Sequence, residues 1–105
     1  MDPRPFDERC AIWRASELFG DKCTLLILRD LFQDGERTFS DFRAEERGFS
    51  PSTLSKRLKA LTAAGYLEIK QYEEHPPRFL YRLTKNGRRL GPVMQAMYTW
   101  GGQND

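Results

Sequence analysis

The stretch from Pro51 to Ala64 combines hydroxyl and cationic side chains and contains no acidic residue, although acids occur on both sides of it. Hydroxyls and cations bind phosphate oxygens and base edges, whereas a carboxylate would repel phosphates. The pattern favours a nucleic-acid contact over the alternative, an ordinary solvated helix surface. The predicted contact residues, including the one that precedes the stretch, are Ser50, Ser52, Thr53, Ser55, Lys56, Arg57 and Lys59.

Two cysteines, Cys10 and Cys23, are the candidate reactive groups outside this stretch. A thiol near a helix N-terminus, with Arg9 and Arg14 close by, would be held partly as the reactive thiolate, although Glu8 opposes this. Free cysteine also packs well as a small buried residue, so each thiol has a structural alternative. Because sequence does not place the two Cα atoms, a disulfide within or between subunits stays a hypothesis.

No set of residues predicts catalysis or a bound cofactor. An enzyme needs a nucleophile with a base, a metal cluster or a phosphate-binding glycine loop, and the sequence contains none of these patterns. His75 is the only histidine, and its spacing to Cys10 and Cys23 matches no zinc motif. We therefore expect a protein that is not an enzyme and has no cofactor, with a metal- or small-ligand-responsive protein as an alternative.

Charge is unevenly distributed along the 105 residues. Residues 1–50 hold 8 basic and 11 acidic side chains, whereas residues 51–105 hold 9 basic and 4 acidic ones. The basic excess therefore lies in the half that carries the candidate contact residues. The net charge of the whole chain is only +2, which argues neither for nor against a polyanionic partner.

The length suits one hydrophobic core, so residues 1–105 are predicted to form a single domain. Met1–Glu8 contain no apolar run typical of a signal peptide, and no later segment has membrane length. Two cysteines are too few for a disulfide scaffold, and a reducing compartment would keep them as thiols. A cytoplasmic protein with no membrane partner is expected.

Apolar spacing and helix-capping residues predict four helices in the first two thirds of the chain. Ser50 is suited to the N-cap of the fourth, with Pro51 at the first helical position, where its missing N–H costs nothing. In order, the predicted helices are one that ends near Gly20, a core helix that begins at Thr24 and is closed by Asp34-Gly35, a short helix after Thr38 that stops at Gly48, and one over Pro51–Ala64 capped by Gly65.

Beyond Gly65 the apolar period changes from helical to two, which predicts a β-hairpin. The connection Glu73–Arg78 contains two prolines, each of which lacks a backbone donor, and is predicted to be an unpaired loop. Thr84 is predicted to cap one final helix. Its apolar residues at helical spacing are Leu90, Val93, Met94, Met97 and Trp100.

This order of elements predicts an α+β, mainly α fold: a winged helix-turn-helix with a two-stranded hairpin as the wing. On the helical wheel Leu54, Leu58 and Leu61 form a core-facing stripe, and Lys56 and Lys59 lie opposite it. Arg57 lies on the flank, where a phosphate contact or an internal ion pair is expected.

The wing carries a second, weaker candidate contact. Arg78 and His75 are placed to reach a minor groove or a DNA backbone, but Glu73 and Glu74 oppose a close approach. We therefore expect the wing to be at most an accessory contact.

Together these features resemble the HxlR family of bacterial winged-helix transcription regulators, within the MarR-like superfamily. The resemblance implies a cytoplasmic regulator that binds a palindromic operator as a homodimer joined through its terminal helices, with its recognition helix in the major groove of double-stranded DNA. The matching positions are Cys10, Gly20–Lys22, Thr24–Leu31, Arg37–Phe39, Phe49–Pro51, Leu54–Leu58, Pro76–Arg78, Tyr81 and Leu83–Thr84.

The resemblance also implies a role for the cysteines. Some such regulators sense oxidants or electrophiles at the position of Cys10. Cys23 departs from the family pattern, which usually has tryptophan there; it is either a smaller core residue or a second thiol. A winged helix that only binds proteins, as an adaptor without DNA contact, remains the alternative from a different class.

Overall fold

The computed structural model describes residues 5–103, so Met1–Arg4 of the leader and the last two residues lie outside the described part. Within that range the chain forms six helices and one two-stranded antiparallel hairpin. None of these helices is long and apolar enough to cross a membrane. The elements are α1 (Ala11–Phe19), α2 (Lys22–Asp34), α3 (Phe39–Glu45), α4 (Pro51–Ala63), β1 (Leu67–Glu74), β2 (Pro77–Leu83), α5 (Lys85–Arg88) and α6 (Gly91–Gln103).

Side-chain caps determine where the middle helices begin. Thr38 and Asp41 form a reciprocal capping box at α3, in which each side chain accepts from the backbone N–H of the other residue. The Ser50 Oγ accepts from the Thr53 N–H at 3.1 Å, with Pro51 as the first residue of α4. The N-cap and the proline position predicted for this helix are thus confirmed.

The core lies where α2, α3, α4 and the base of the hairpin meet. Ile27, Leu28 and Phe42 are fully buried there. The leucine stripe of α4 (Leu54, Leu58 and Leu61) is also buried, as its spacing predicted. Removing one such side chain from water is worth roughly 1.5–3 kcal/mol, so this stripe fixes which face of α4 points outward.

The hairpin is longer than predicted, and the expectation that Glu73–Arg78 forms an unpaired loop is wrong. Glu73 pairs with Arg78 and Glu74 with Pro77, which leaves only His75 and Pro76 in the turn. Proline is tolerated at the first residue of an edge strand, where its missing N–H removes no ladder hydrogen bond, and Pro77 is the first residue of β2.

The single final helix predicted after Thr84 is also wrong, because two helices follow. Thr84 caps only α5, through a 2.9 Å hydrogen bond from the Gly87 N–H. A continuous helix would place the ring of Pro92 against the carbonyl of Arg88. The chain therefore breaks, and α6 restarts at Gly91, with the proline in its first turn, where no N–H is needed.

Gly87 allows α5 to lie directly against the turn after α4. A Cβ at this position would collide with the Tyr66 backbone carbonyl, which accepts from the Thr84 N–H. Gly87→Ala should therefore lower the free energy of unfolding by about 1–3 kcal/mol through overpacking. Urea denaturation followed by circular dichroism measures the change.

Gly101→Ala in α6 is the matched control. A Cβ at Gly101 meets no atom within 4 Å, so the helix preference of alanine should leave stability unchanged or raise it by up to about 1 kcal/mol. Equal unfolding midpoints for the two variants would contradict the close approach at Gly87.

Candidate nucleic-acid interface

The outward face of α4 carries the groups predicted for nucleic-acid contact. Ser52, Lys56 and Lys59 are exposed, and no described residue pairs with them. Their spacing of four and three residues places them on one side of the helix, opposite the buried leucines. This surface offers one hydroxyl and two mobile cations with no carboxylate among them, which suits a polyanion.

At the N-terminus of α4 the hydroxyls of Ser50 and Thr53 are already engaged with each other. The Ser50 Oγ donates to the Thr53 Oγ1 at 3.0 Å, besides accepting from its backbone N–H. Ser55 is half-buried on the flank of the helix. Ser50, Thr53 and Ser55 therefore border the exposed face, and their contact with nucleic acid stays a prediction.

The Arg57 Nε faces the protein rather than solvent. It lies 3.3 Å from Asp21 Oδ2, an oxygen that also caps α2 by accepting from the Thr24 N–H at 2.8 Å. Of the two roles expected for Arg57, the structure shows the internal ion pair. This contact joins the N-terminus of α2 to the middle of α4.

Two further arginines lie beside the start of α4, and the sequence interpretation missed both. Arg43 and Arg47 line a shallow cavity with Gly48–Pro51, next to the N-terminus of α4. Both side chains are exposed. They stand in a stretch with several acids, so charge counting along the chain concealed them. The fold separates them from that background by placing them at the edge of the α4 surface.

The two arginines of the wing are held in ion pairs. Arg78 Nε lies 3.3 Å from Glu73 Oε2, and Arg82 lies between Glu68, at 2.7 Å, and Glu36, at 3.8 Å. His75 is exposed in the hairpin turn. Carboxylates thus occupy both arginines of the wing, which fits the expectation that the wing is at most an accessory contact.

Cys10 is the N-cap residue of α1 and is partly exposed. The two arginines expected to act on it have other partners: the Arg9 guanidinium pairs with the Asp7 carboxylate at 2.7 Å, and Arg14 Nη1 donates to the Glu8 carbonyl at 2.8 Å. The accessibility of this residue, rather than a dedicated cation, is therefore its main distinguishing property.

Cys23 is a core residue with 1% exposure. Burial raises the pKa of its thiol, and the nearby charge of Asp21 raises it further. Both effects disfavour the thiolate. Of the two roles considered for Cys23, its position fits the smaller core residue.

The terminal helices expose large apolar side chains. Neither α1 nor α6 contains a buried residue. Ile12 and Tyr98 are each 71% exposed, and Trp100 and Val93 are also exposed. These two helices thus carry more apolar surface than the described fold covers.

The arrangement of α2, α3, a tight turn, α4 and the following hairpin is that of a winged helix-turn-helix protein, with α4 as the second helix of the motif. The family comparison agrees with this class. The chain belongs to the family of HxlR-like helix-turn-helix proteins, whose model matches residues 18–105. It is therefore a transcriptional regulator of the helix-turn-helix type rather than an enzyme.

Similar curated proteins are also described as helix-turn-helix regulators. One from Synechocystis sp. is 37% identical over 92 residues, which cover 88% of this chain and 67% of that protein. Another, from Mycobacterium bovis, is 40% identical over 91 residues, which cover 87% of this chain and 56% of that protein. The match thus spans between about half and two thirds of these relatives.

Solved structures show the same fold. The redox regulator HypR in its oxidised form superposes with a TM-score of 0.84 at 28% identity, covering 91% of this chain and 98% of that one. The reduced form of the transcriptional regulator YodB from Bacillus subtilis has a TM-score of 0.76 at 29% identity, with coverage of 90% and 92%. A transcriptional regulator of the MarR family from Porphyromonas gingivalis has a TM-score of 0.82 at 30% identity, with coverage of 98% and 100%, which supports the assignment to MarR-like regulators.

The positions of the two thiols predict very different reactivities. In the folded protein Cys10 should react with iodoacetamide on the order of 100-fold faster than Cys23, because the buried thiol reacts only through local opening. Mass spectrometry of peptides after timed alkylation measures both rates. In denaturant the two rates should become similar, and equal rates in the native protein would contradict the burial of Cys23.

Proposed function

We propose that this protein is a sequence-specific DNA-binding transcription regulator that acts as a homodimer on a palindromic operator. Residues 1–105 form a single domain of this function, and α4 enters the major groove. The observation that carries the proposal is the acid-free outer face of α4, held outward by a buried leucine stripe. With its side chains an α-helix is roughly 10–12 Å across, which fits a major groove about 12 Å wide.

Each group on this surface has a proposed role set by its chemistry. Ser52 lies in the first turn of α4, the part of a recognition helix that contacts base edges. Lys56 and Lys59 are flexible point charges suited to phosphates. Arg43 and Arg47 extend the cationic surface beyond the start of the helix, where they would meet the adjacent DNA backbone. The paired wing side chain Arg78 is an accessory contact.

A homodimer accounts for the uncovered apolar side chains of α1 and α6. A stable interface covers about 800 Å² on each partner, and its centre is enriched in aromatic residues and methionine. Ile12, Val93 and Tyr98 supply surface of this kind at the two ends of the chain. A two-fold dimer would set the two α4 helices one DNA turn apart, roughly 34 Å, which matches a palindrome.

Charge reversal on α4 tests the proposed DNA surface. Lys56→Glu with Lys59→Glu should weaken binding to a random-sequence DNA duplex by about tenfold or more at about 0.15 M salt. It should also reduce the slope of log affinity against log salt by about two, because fewer counterions are released. Fluorescence anisotropy across a salt series measures both quantities.

The control carries the same change of net charge elsewhere: Lys22→Glu with Lys85→Glu, at exposed positions outside α4. It should bind within about threefold of wild type, because charges away from the contact act only through the screened field. If all three proteins bound the duplex equally, α4 would not be the contact surface, and a protein-binding adaptor would become the better assignment.

We further propose that Cys10 makes the regulator responsive to thiol oxidation. Two observations support this: Cys10 is partly exposed while Cys23 is buried, and HypR, which shares the fold, is a redox regulator. Diamide, a two-electron oxidant, would take two electrons and two protons from a pair of thiols to give one disulfide. Since Cys23 is buried, Cys10 of a second copy is the proposed partner thiol.

Oxidation of wild-type protein by diamide should change its affinity for duplex DNA by roughly five- to a hundredfold, the usual range of coupling between two sites. Cys10→Ser should lose this response, whereas Cys23→Ala should keep it. Anisotropy with and without diamide gives the affinities, and a non-reducing gel shows whether a linked dimer forms. A response retained by Cys10→Ser would assign the sensing role elsewhere.

A further inference from the structure

Two carboxylates are buried beneath the turn that leads into α4. Asp30 of α2 is 2% exposed, and Glu46, the C-cap residue of α3, is 5% exposed. Acidic side chains are almost never buried this deeply unless their charges are matched. One cation, Arg29, serves both of them.

The geometry shows that this match is incomplete. Arg29 Nη2 donates to Glu46 Oε2 at 2.7 Å and to Asp30 Oδ1 at 3.1 Å. The Arg29 side chain is itself 42% exposed, so part of its charge is solvated. Asp30 Oδ2 is buried and has no hydrogen-bond donor within the described range. The cluster therefore lacks one donor and, with both acids ionised, one positive charge.

Within residues 5–103, the neighbouring elements do not supply the missing charge. From α2 the groups near Glu46 are Arg29, Asp30 and the buried thiol of Cys23, whose pKa responds to the Glu46 charge. From α4 the cation nearest the interior, Arg57, pairs with Asp21 instead. The two lysines of α4 point to solvent. The cations that flank Glu46 along its own chain, at positions 43 and 47, are exposed.

A proton would complete the cluster. Burial raises the pKa of Glu46, as do the Asp30 carboxylate as an acceptor for the Glu46 proton and its negative charge; the pKa is about 7, although Arg29 acts in the opposite direction. A protonated Glu46 can donate to the carboxylate of Asp30, which has an unfilled acceptor, and still accept from Arg29. Loss of that proton leaves two buried anions beside one partly solvated cation.

Glu46 is also part of the turn between the two helices of the motif. Its N–H donates to the Phe42 carbonyl at 2.8 Å, and its own carbonyl accepts from the Phe49 N–H at 3.2 Å. Phe49 packs against the core, and Ser50 follows as the N-cap of α4. A displacement of Glu46 is therefore passed to the start of α4 over a few residues.

We propose that Glu46 is a proton-dependent positioning residue for α4, which holds the turn in its DNA-binding geometry when it shares a proton with Asp30 and releases it when that proton is lost. Of the two acids, Glu46 is the one that moves, because Asp30 lies within the central helix α2 whereas Glu46 is at the end of the short helix α3. The effect on DNA rests on the proposed function; the effect on the turn does not.

The direction of the pH dependence follows from linkage. The folded-state pKa of about 7 lies above the ordinary value of 4.5, so the folded turn binds the proton more tightly than the open one. The stabilisation is fully present below about pH 4.5 and is lost as pH rises through about 7. DNA affinity should fall in the same direction.

The experiment compares wild type with Glu46→Gln, Asp30→Asn and the control Glu45→Gln from about pH 6 to about pH 8.5, a range that brackets the folded-state pKa. The amide introduced by Glu46→Gln keeps a donor for Asp30 at every pH, and Glu45 is an exposed neighbour on the same helix. Two quantities are measured for each protein: exchange of the hydrogen-bonded amides of Phe49 and Thr53, corrected for the intrinsic rate, and affinity for a random-sequence duplex. His75 is present in all four proteins, so any contribution it makes to the pH dependence is the same in each and cancels when the proteins are compared.

In wild type and Glu45→Gln, protection of these amides should fall about tenfold across the range and DNA affinity about fivefold. Both should stay constant in Glu46→Gln, and in Asp30→Asn the fall should move to lower pH because the neighbouring charge is gone. If protection and DNA affinity fall in Glu46→Gln as they do in wild type, the inference about Glu46 is overturned, while the proposed DNA binding is unaffected. If protection falls with rising pH in wild type but not in Glu46→Gln, and wild type binds no duplex, the inference about the turn is supported and the proposed function is overturned.

Discussion

The burial of one face of α4 is the constraint on which the remaining structure depends. The leucine stripe leaves the helix no freedom to rotate about its axis, since any rotation would exchange buried leucines for exposed lysines. Most of the other elements pack around this requirement: α2 supplies the opposing apolar wall, α3 closes one side, and β1 contributes Leu67 at the base. The chemistry of the outer face is consequently a direct result of packing on the inner one.

Local signals predicted most of the fold because each operates within a few residues. The N-cap Ser50, the positive-φ Gly65 and the leucine spacing of α4 act over one or two helical turns, and the structure agrees with all three. Both wrong predictions concern a proline that is compatible with more than one local structure. Pro77 begins a strand although its missing N–H favours a loop, and Pro92 lies in the first turn of a new helix although the apolar spacing favours one continuous helix.

Only part of the candidate site could be predicted from the sequence, because its other features depend on contacts between residues that are far apart along the chain. Arg57 was identified as a flank residue, but its partner Asp21 lies 36 positions away along the chain. Nothing near Glu46 in sequence distinguishes it from Glu45, yet one is buried beside α2 and the other is exposed. Burial of a charge is decided by which helix crosses over it, and charge patterns along a chain do not contain that information.

The break before α6 has a mechanical consequence for any assembly of two copies. Only Arg89 and Leu90 separate α5 from α6, and α5 is fixed to the Gly65–Tyr66 turn at the end of α4 by hydrogen bonds and by the contact at Gly87. The connection from α4 to the proposed dimer helix is therefore short and has little conformational freedom. A connection this short is rigid, so a dimer built on α6 would hold its two α4 helices at a fixed separation. Such a dimer would tolerate little variation in the spacing between the two half-sites of an operator.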